Sequence, residues 1–300
     1  TRSRLVRMDM TGTEGWSLDI DMQSPFVVAR NGRMLVVDRT GFDWVLVDAS
    51  GRLASGRTTG AITGAALGAD GGIALIHDEP GYRGVLRLLA PDGTFRFEWK
   101  SAESGHILSA AFDPAGGFVD VSVLNSDGTT PLTYHKRFSL EAAEVAQHRL
   151  PDNWILPVVV HDPEGHPVFV GSQQLIALSD NPEPAWSLSL ARILSAHTAP
   201  GGVLVVGSET ADGDLRLWRV DSQGRKGSSL VLPFEPDQTA LGDDGTYMAF
   251  SSGSRILIVR IPGANQGPNQ APVQAGDLRT TGEVLRLAFT GDPREPRLLT

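Results

Sequence analysis

Six times along the chain a glycine and one further residue lead into a short apolar run: GRMLVV (32–37), GGIALI (71–76), GGFVDV (116–121), GHPVFV (165–170), GGVLVV (201–206) and GTYMAF (245–250). Turn chemistry precedes each run, as in ARNG, GADG, DPAG, DPEG, APGG and GDDG, where Asn, Asp, Pro and Gly supply the backbone angles of a tight reversal. Another apolar piece stands before that turn, for example FVVA (26–29), LSAAF (108–112) or LPVVV (156–160). Two apolar runs around a tight turn predict a β-hairpin. A third, alternating piece follows, as in WVLVDASG (44–51), VLRLLAPDG (85–93), QLIALSDN (174–181), LRLWRVDSQG (215–224) and RILIVRIPG (255–263). A weaker fourth piece comes last, as in FRFEWKS (95–101) and AWSLSL (185–190).

Four antiparallel strands per unit, with unit starts spaced by 39, 45, 49, 36 and 44 residues, predict the blades of a β-propeller. A seventh start is EPRLLT (295–300), preceded by VLRLAF (284–289) and the turn TGDPR, and it holds only two strands. RLVRMDMTG (4–12) and GWSLDI (15–20) at the other end read as the missing third and fourth. The expectation is an all-β, seven-bladed propeller of four-stranded antiparallel blades, a single domain over 1–300, whose last blade is closed by two strands from each terminus. Closure would bury every blade face, at about 25 cal/mol per Å² of apolar area, and cover otherwise unpaired edges.

On this frame, GDLRLWRVDSQG (213–224) resembles the third strand and turn of a WD40 repeat, and AAFDPAGG (110–117) resembles the entry to one. The fourth-strand tryptophans Trp16, Trp99 and Trp186 resemble the PQQ-like repeat pattern. Both resemblances cover the repeat frame over nearly the whole chain. They imply a scaffold that presents loops around a central channel, a design used by binding platforms and enzymes alike.

A formal net charge of −9 works against a nucleic-acid partner, which needs clustered Lys and Arg to displace counterions. With no cysteine, disulfides, thiolate metal sites and cysteine nucleophiles are excluded. The longest apolar runs, such as ILPVVV (155–160), are strand-sized, far short of a membrane-spanning helix. The chain starts at Thr1 without Met, and the expectation is an upstream leader or anchor, with the propeller as the extracytoplasmic part of a bacterial protein. That compartment follows from the PQQ-like resemblance.

The recurrence of Trp16, Trp99 and Trp186 at one repeat position assigns them to blade packing. Candidate contacts lie instead on loops that join second to third strands, RTGFDW (39–44), HDEPGYRG (77–84), NSDGTTP (125–131) and ETADGD (209–214), and on the blade connections SAESGH (101–106) and LPDNW (150–154). In a propeller these share a face. Trp44, Tyr82, Arg83, His106 and Trp154 would supply amphipathic contacts and directed hydrogen bonds to a ligand or protein. Asp78, Asp127, Asp212 and Asp214 are the candidate metal ligands, for Ca²⁺, although Asp-Gly pairs are also plain turn formers. His161 and His166 read as structural, and His77 and Asp78, adjacent on a strand, point to opposite faces. No nucleophile elbow, phosphate loop or H-E-x-x-H helix is present.

The expected function is a non-catalytic binding or assembly platform with a protein partner and no required cofactor. The alternative is a propeller enzyme, a lactonase, quinone-dependent dehydrogenase or glycan-active protein, with Ca²⁺ or a quinone at the channel mouth.

Overall fold

The computed structural model describes residues 3–8, 14–141, 143–151, 154–179, 183–263, 270–284, 287–290 and 297–299. The chain divides into two compact units, Thr1–Val158 and Val159–Thr300.

The first unit opens with a two-stranded sheet, β1 (Ser3–Met8) and β2 (Glu14–Ile20). Three antiparallel four-stranded sheets follow. The first is β3 (Pro25–Arg30), β4 (Arg33–Asp38), β5 (Asp43–Asp48) and β6 (Gly51–Arg57). Next come β7 (Ile62–Leu67), β8 (Ile73–His77), β9 (Val85–Leu89) and β10 (Phe95–Lys100). The third holds β11 (His106–Phe112), β12 (Phe118–Asn125), β13 (Leu132–Ser139) and β14 (Glu144–Arg149).

The second unit also holds three: β15 (Val158–His161), β16 (Pro167–Val170), β17 (Gln174–Leu178) and β18 (Pro184–Ser189); then β19 (Arg192–Ala199), β20 (Gly202–Ser208), β21 (Arg216–Val220) and β22 (Lys226–Val231); then β23 (Gln238–Leu241), β24 (Tyr247–Ser252), β25 (Arg255–Arg260) and β26 (Val273–Arg279). It ends in the pair β27 (Ala288–Thr290) and β28 (Arg297–Leu299). Strands within a four-stranded sheet follow chain order, each a simple meander.

The apolar runs are continuous because second and third strands are covered on both faces. Ile73 and Leu75 of β8 pack towards the preceding sheet with Leu35, Leu46 and Trp44, while Ala74 and Ile76 pack towards the following one with Val119 and Val121. Val203 and Val205 of β20 join Val168 and Trp186, whereas Leu204 and Val206 join Phe250 and Leu257. Alternation in a strand here sorts apolar residues between two neighbours rather than between core and water.

The expected seventh blade is not formed: among the described residues the chain builds six four-stranded blades and two separate two-stranded sheets. Leu5 pairs with Leu18 and Leu298 with Phe289, and among the described residues no strand pairing joins β1–β2 to β27–β28, so the termini do not close a blade. The reason is physical. A hairpin's register is written in its own turn, whereas two segments at opposite ends of a chain share no turn that could set theirs. Each terminal hairpin instead covers the blade beside it, with Leu5, Trp16 and Leu18 against Val36 and Val45 at one end and Phe289 against Ala249 at the other.

Neighbouring blades interlock through a repeated backbone device. The first strand or entry segment of a blade donates to the second-to-third-strand loop of the blade before it: Ile62 N to Gly41 O (2.7 Å), Ile193 N to Ser172 O (2.7 Å) and Val284 N to Gly253 O (2.8 Å). A hydroxyl just past the fourth strand braces the same junction. Thr58 Oγ1 donates to Gly60 O, Ser101 Oγ to Gly105 O and Thr280 Oγ1 to Gly282 O.

The recurrent tryptophans do the same with side chains. Trp16 Nε1 donates to Ala49 O across the β5–β6 turn (3.2 Å). Trp99 lies 5.1 Å from the Phe138 ring, and Trp186 packs so tightly on the β21–β22 turn that a Cβ on Gly224 would fall 2.9 Å from it.

Candidate functional site

The loop between β8 and β9 is shaped by its own sequence. Glu79-Pro80-Gly81-Tyr82 closes with Tyr82 N donating to Glu79 O (3.1 Å), and Gly81 takes φ +88°. Proline first and a left-handed glycine second are the demands of a type II turn. The turn lifts Tyr82 into solvent, 40 % exposed.

Charged groups from neighbouring elements then fix that tyrosine's surroundings. Lys100, the last residue of β10, sits 5.1 Å from the Tyr82 ring centroid, bonds Glu79 and lies 3.6 Å from Glu98. Its hydrogen bond to Glu79 raises the Lys100 ammonium above the usual lysine range. Arg83 N donates to Ser101 O (2.7 Å), and its guanidinium crosses to the next blade to meet Asp127 Oδ1 at 2.6 Å. Asp127 is placed by its own N–H bonding to Asn125 Oδ1 (2.9 Å), and Asn125 Nδ2 reaches Glu103 O (3.4 Å). A Cβ on Gly105 would fall 2.3 Å from Leu124 O, so the β10–β11 connection lies directly on β12. Three loops from two blades are thereby held as one surface.

Behind the loop, His77 is fully buried, its Nδ1 3.0 Å from Asp78 O. With the proton on Nδ1, its Nε2 faces Glu98 Oε2 at 3.9 Å, and Glu98 is held by Arg87 through Nε (2.7 Å) and Nη2 (2.6 Å). This buried row supports the exposed one.

The structure thus brings Tyr82, Arg83 and Asp127 together. His106 is exposed at the start of β11, opposite Leu124. Trp154 is half-buried, its carbonyl accepting from Thr133 Oγ1 (2.7 Å). Trp44 is 5 % exposed: as the second residue of β5 it turns inward onto the β9–β10 turn, where a Cβ on Gly93 would lie 3.1 Å from its ring. Its other edge floors a cleft of about 280 Å³ rimmed by Asp19, Asp21, Asp43, Arg52 and Arg57. Asp78 and Asp212 are exposed, and Asp214 lies 3.8 Å from Arg216. Among the described residues, the acidic and histidine groups whose donor atoms converge in a threesome are instead Asp162, Glu164 and His166.

Sequence reading missed the polar interior of the third blade. Asp120 is fully buried on β12 and accepts from His135 Nε2 (2.6 Å), Arg137 Nε (2.7 Å) and Arg137 Nη2 (2.9 Å), with His148 stacked on His135 at 5.6 Å. Burial, then the nearby His135 and Arg137, pushes the His148 imidazole below its usual range. The signal was present: β12 alternates Val119, Val121 and Val123 with Asp120 and Ser122, a polar face inside an otherwise apolar strand.

Comparison with known proteins places the fold. The model of a family of unknown function (DUF5711) matches residues 1–145. No curated protein matches the sequence. Among solved structures, the chain is similar to Kuenenia stuttgartiensis hydrazine synthase (TM-score 0.66, 10 % identity, 93 % of this chain and 96 % of that one). It is also similar to virginiamycin B lyase from Staphylococcus aureus (TM-score 0.65, 9 % identity, 97 % and 93 %). The Myceliophteria thermophila Cps50 (Swd1) β-propeller domain matches with a TM-score of 0.61 at 14 % identity, over 90 % of each chain. Identities this low carry the fold and nothing more, and the fold is a β-propeller.

Proposed function

We propose that this chain is a non-catalytic propeller platform that docks a protein through the loops around Tyr82 and Arg83. The observation that supports it is a solvent-exposed aromatic ring presented by a type II turn, with Lys100 5.1 Å from its centroid and the Arg83–Asp127 bridge beside it. Tyrosine and arginine are the residue types that most often anchor protein interfaces, and rigid anchors lose least entropy on binding. Three of the seven histidines are engaged inside the blades: His77 with a carbonyl, His135 with Asp120 and His197 with Thr239. Two of the similar structures bear enzyme names, but an activity resides in a site rather than a fold, so those names do not transfer.

The test is site-specific photocrosslinking in cells that make the protein. A photoreactive residue at Tyr82 should capture one defined protein, while the same residue at Phe95, exposed on the outer strand β10, should not. Identical captures from both positions, or none from Tyr82, would overturn the reading.

A further inference from the structure

We propose that the β15–β16 turn is a divalent transition-metal site formed by Asp162, Glu164 and His166. The three donor atoms lie within 4.8 Å of one another. Asp162 is 1 % exposed at its side chain and His166 38 %, so the group runs from the base of the turn to its rim. Two carboxylates and one imidazole are the donor set of Zn²⁺ and its neighbours rather than of Ca²⁺, which takes oxygen alone. Three protein ligands leave a position for water, as in open zinc sites.

The preceding blade in the chain offers a comparison. Asp113-Pro114-Ala115-Gly116-Gly117 in the β11–β12 turn and Asp162-Pro163-Glu164-Gly165 in the β15–β16 turn open with the same reversal, but the first is one residue longer: Asp113 N donates to Phe118 O (3.1 Å) and Asp162 N to His166 O (3.0 Å). Gly116 N donates to Asp113 O at 3.0 Å and Gly165 N to Asp162 O at 3.1 Å, with φ +75° and +89° at the two glycines. Each aspartate also caps the following strand, Asp113 Oδ1 accepting from Phe118 N (2.6 Å) and Asp162 Oδ1 from His166 N (2.8 Å). The turn therefore accounts for the aspartate. It does not account for Glu164, whose place Ala115 takes one blade earlier, or for an imidazole at position 166, where the residue with the equivalent backbone bonds is Phe118. Asp162 Oδ2 also lies 3.0 Å from His166 Nδ1, so the carboxylate and the imidazole already face each other, and an ion held by both takes the place of the proton between them.

The site lies in the second unit at a first-to-second-strand turn, the opposite end of its blade from the β16–β17 loop, and owes nothing to the Tyr82 surface.

The experiment is titration of the purified full chain with Zn²⁺ against a chromophoric chelator, with Co²⁺ absorption as a second readout. One ion per chain should bind, and binding should weaken in acid, because metal ligands bind deprotonated. The double variant Glu164→Ala with His166→Ala removes two donor groups and keeps Asp162 and Gly165, whose bonds and φ of +89° set the turn. It should keep the wild-type circular dichroism and metal-free melting temperature while binding at least about tenfold more weakly. Absence of binding to the wild type, or equal binding to the double variant, would overturn the site.

Discussion

Arg83 Nη1 and Asp127 Oδ1 stand 2.6 Å apart across the gap between two blades, joining the β8–β9 loop to the β12–β13 loop. Both groups are partly exposed, so water screens the pair. A double-mutant cycle of Arg83→Ala and Asp127→Ala, followed by urea unfolding, should give a coupling of about 0.5–1 kcal/mol. A coupling near zero would mean that the two loops are held together by their backbones alone.

Trp186 is the stronger joint. Its ring fills the space above Gly224, whose φ of +76° already requires glycine. Trp186→Ala should cost about 3–5 kcal/mol as a cavity opens between two sheets. Gly224→Ala should cost about 1–2 kcal/mol from backbone strain. Because the residues touch, the double variant should lose less than both together.

Asp120 carries the largest electrostatic stake. Removing it as Asp120→Ala leaves the Arg137 guanidinium and His135 facing a buried void, with an expected loss of about 3–5 kcal/mol in chemical denaturation. Asp120→Asn keeps acceptor oxygen and volume, and should lose less.

His197 sets a pH dependence. Burial pushes its pKa down to about 4, from an ordinary value of 6.5. Between those values the unfolded chain binds a proton that the folded one refuses, so stability falls as pH drops from 6.5 towards 4, by up to about 3 kcal/mol. Replacing His197 by Asn should flatten that part of the stability–pH curve. An unchanged curve in the variant would show that the carboxylates alone set the acid limb.

Much of this architecture was legible in the chain. GGVLVV and GGIALI announce doubly covered strands, and the Asp, Asn and Gly turns before them announce hairpins, because both signals are local. The expected pairing between the termini was wrong: Leu5 pairs with Leu18 and Leu298 with Phe289, and EPRLLT carries no mark that would set a register with the far end of the chain. Trp44 was misplaced by proximity: it follows the polar loop RTGFD, yet strand alternation turns it inward with Leu46. The turn that presents Tyr82 and Arg83 was legible because Pro80 and Gly81 write it explicitly. The Asp127 partner was not, being 44 positions away on another blade. The Asp162 group was hidden for the opposite reason, as its aspartate looks like every other turn former in the repeat.

The proposed docking surface is the one around Tyr82 and Arg83. Its most direct test is a binding isotherm between the purified chain and the protein crosslinked through position 82, repeated with Tyr82→Ala plus Arg83→Glu at unchanged melting temperature. Loss of a buried aromatic and an arginine anchor predicts a Kd at least about thirtyfold higher. An unchanged Kd in a folded variant would place the docking surface elsewhere on the molecule.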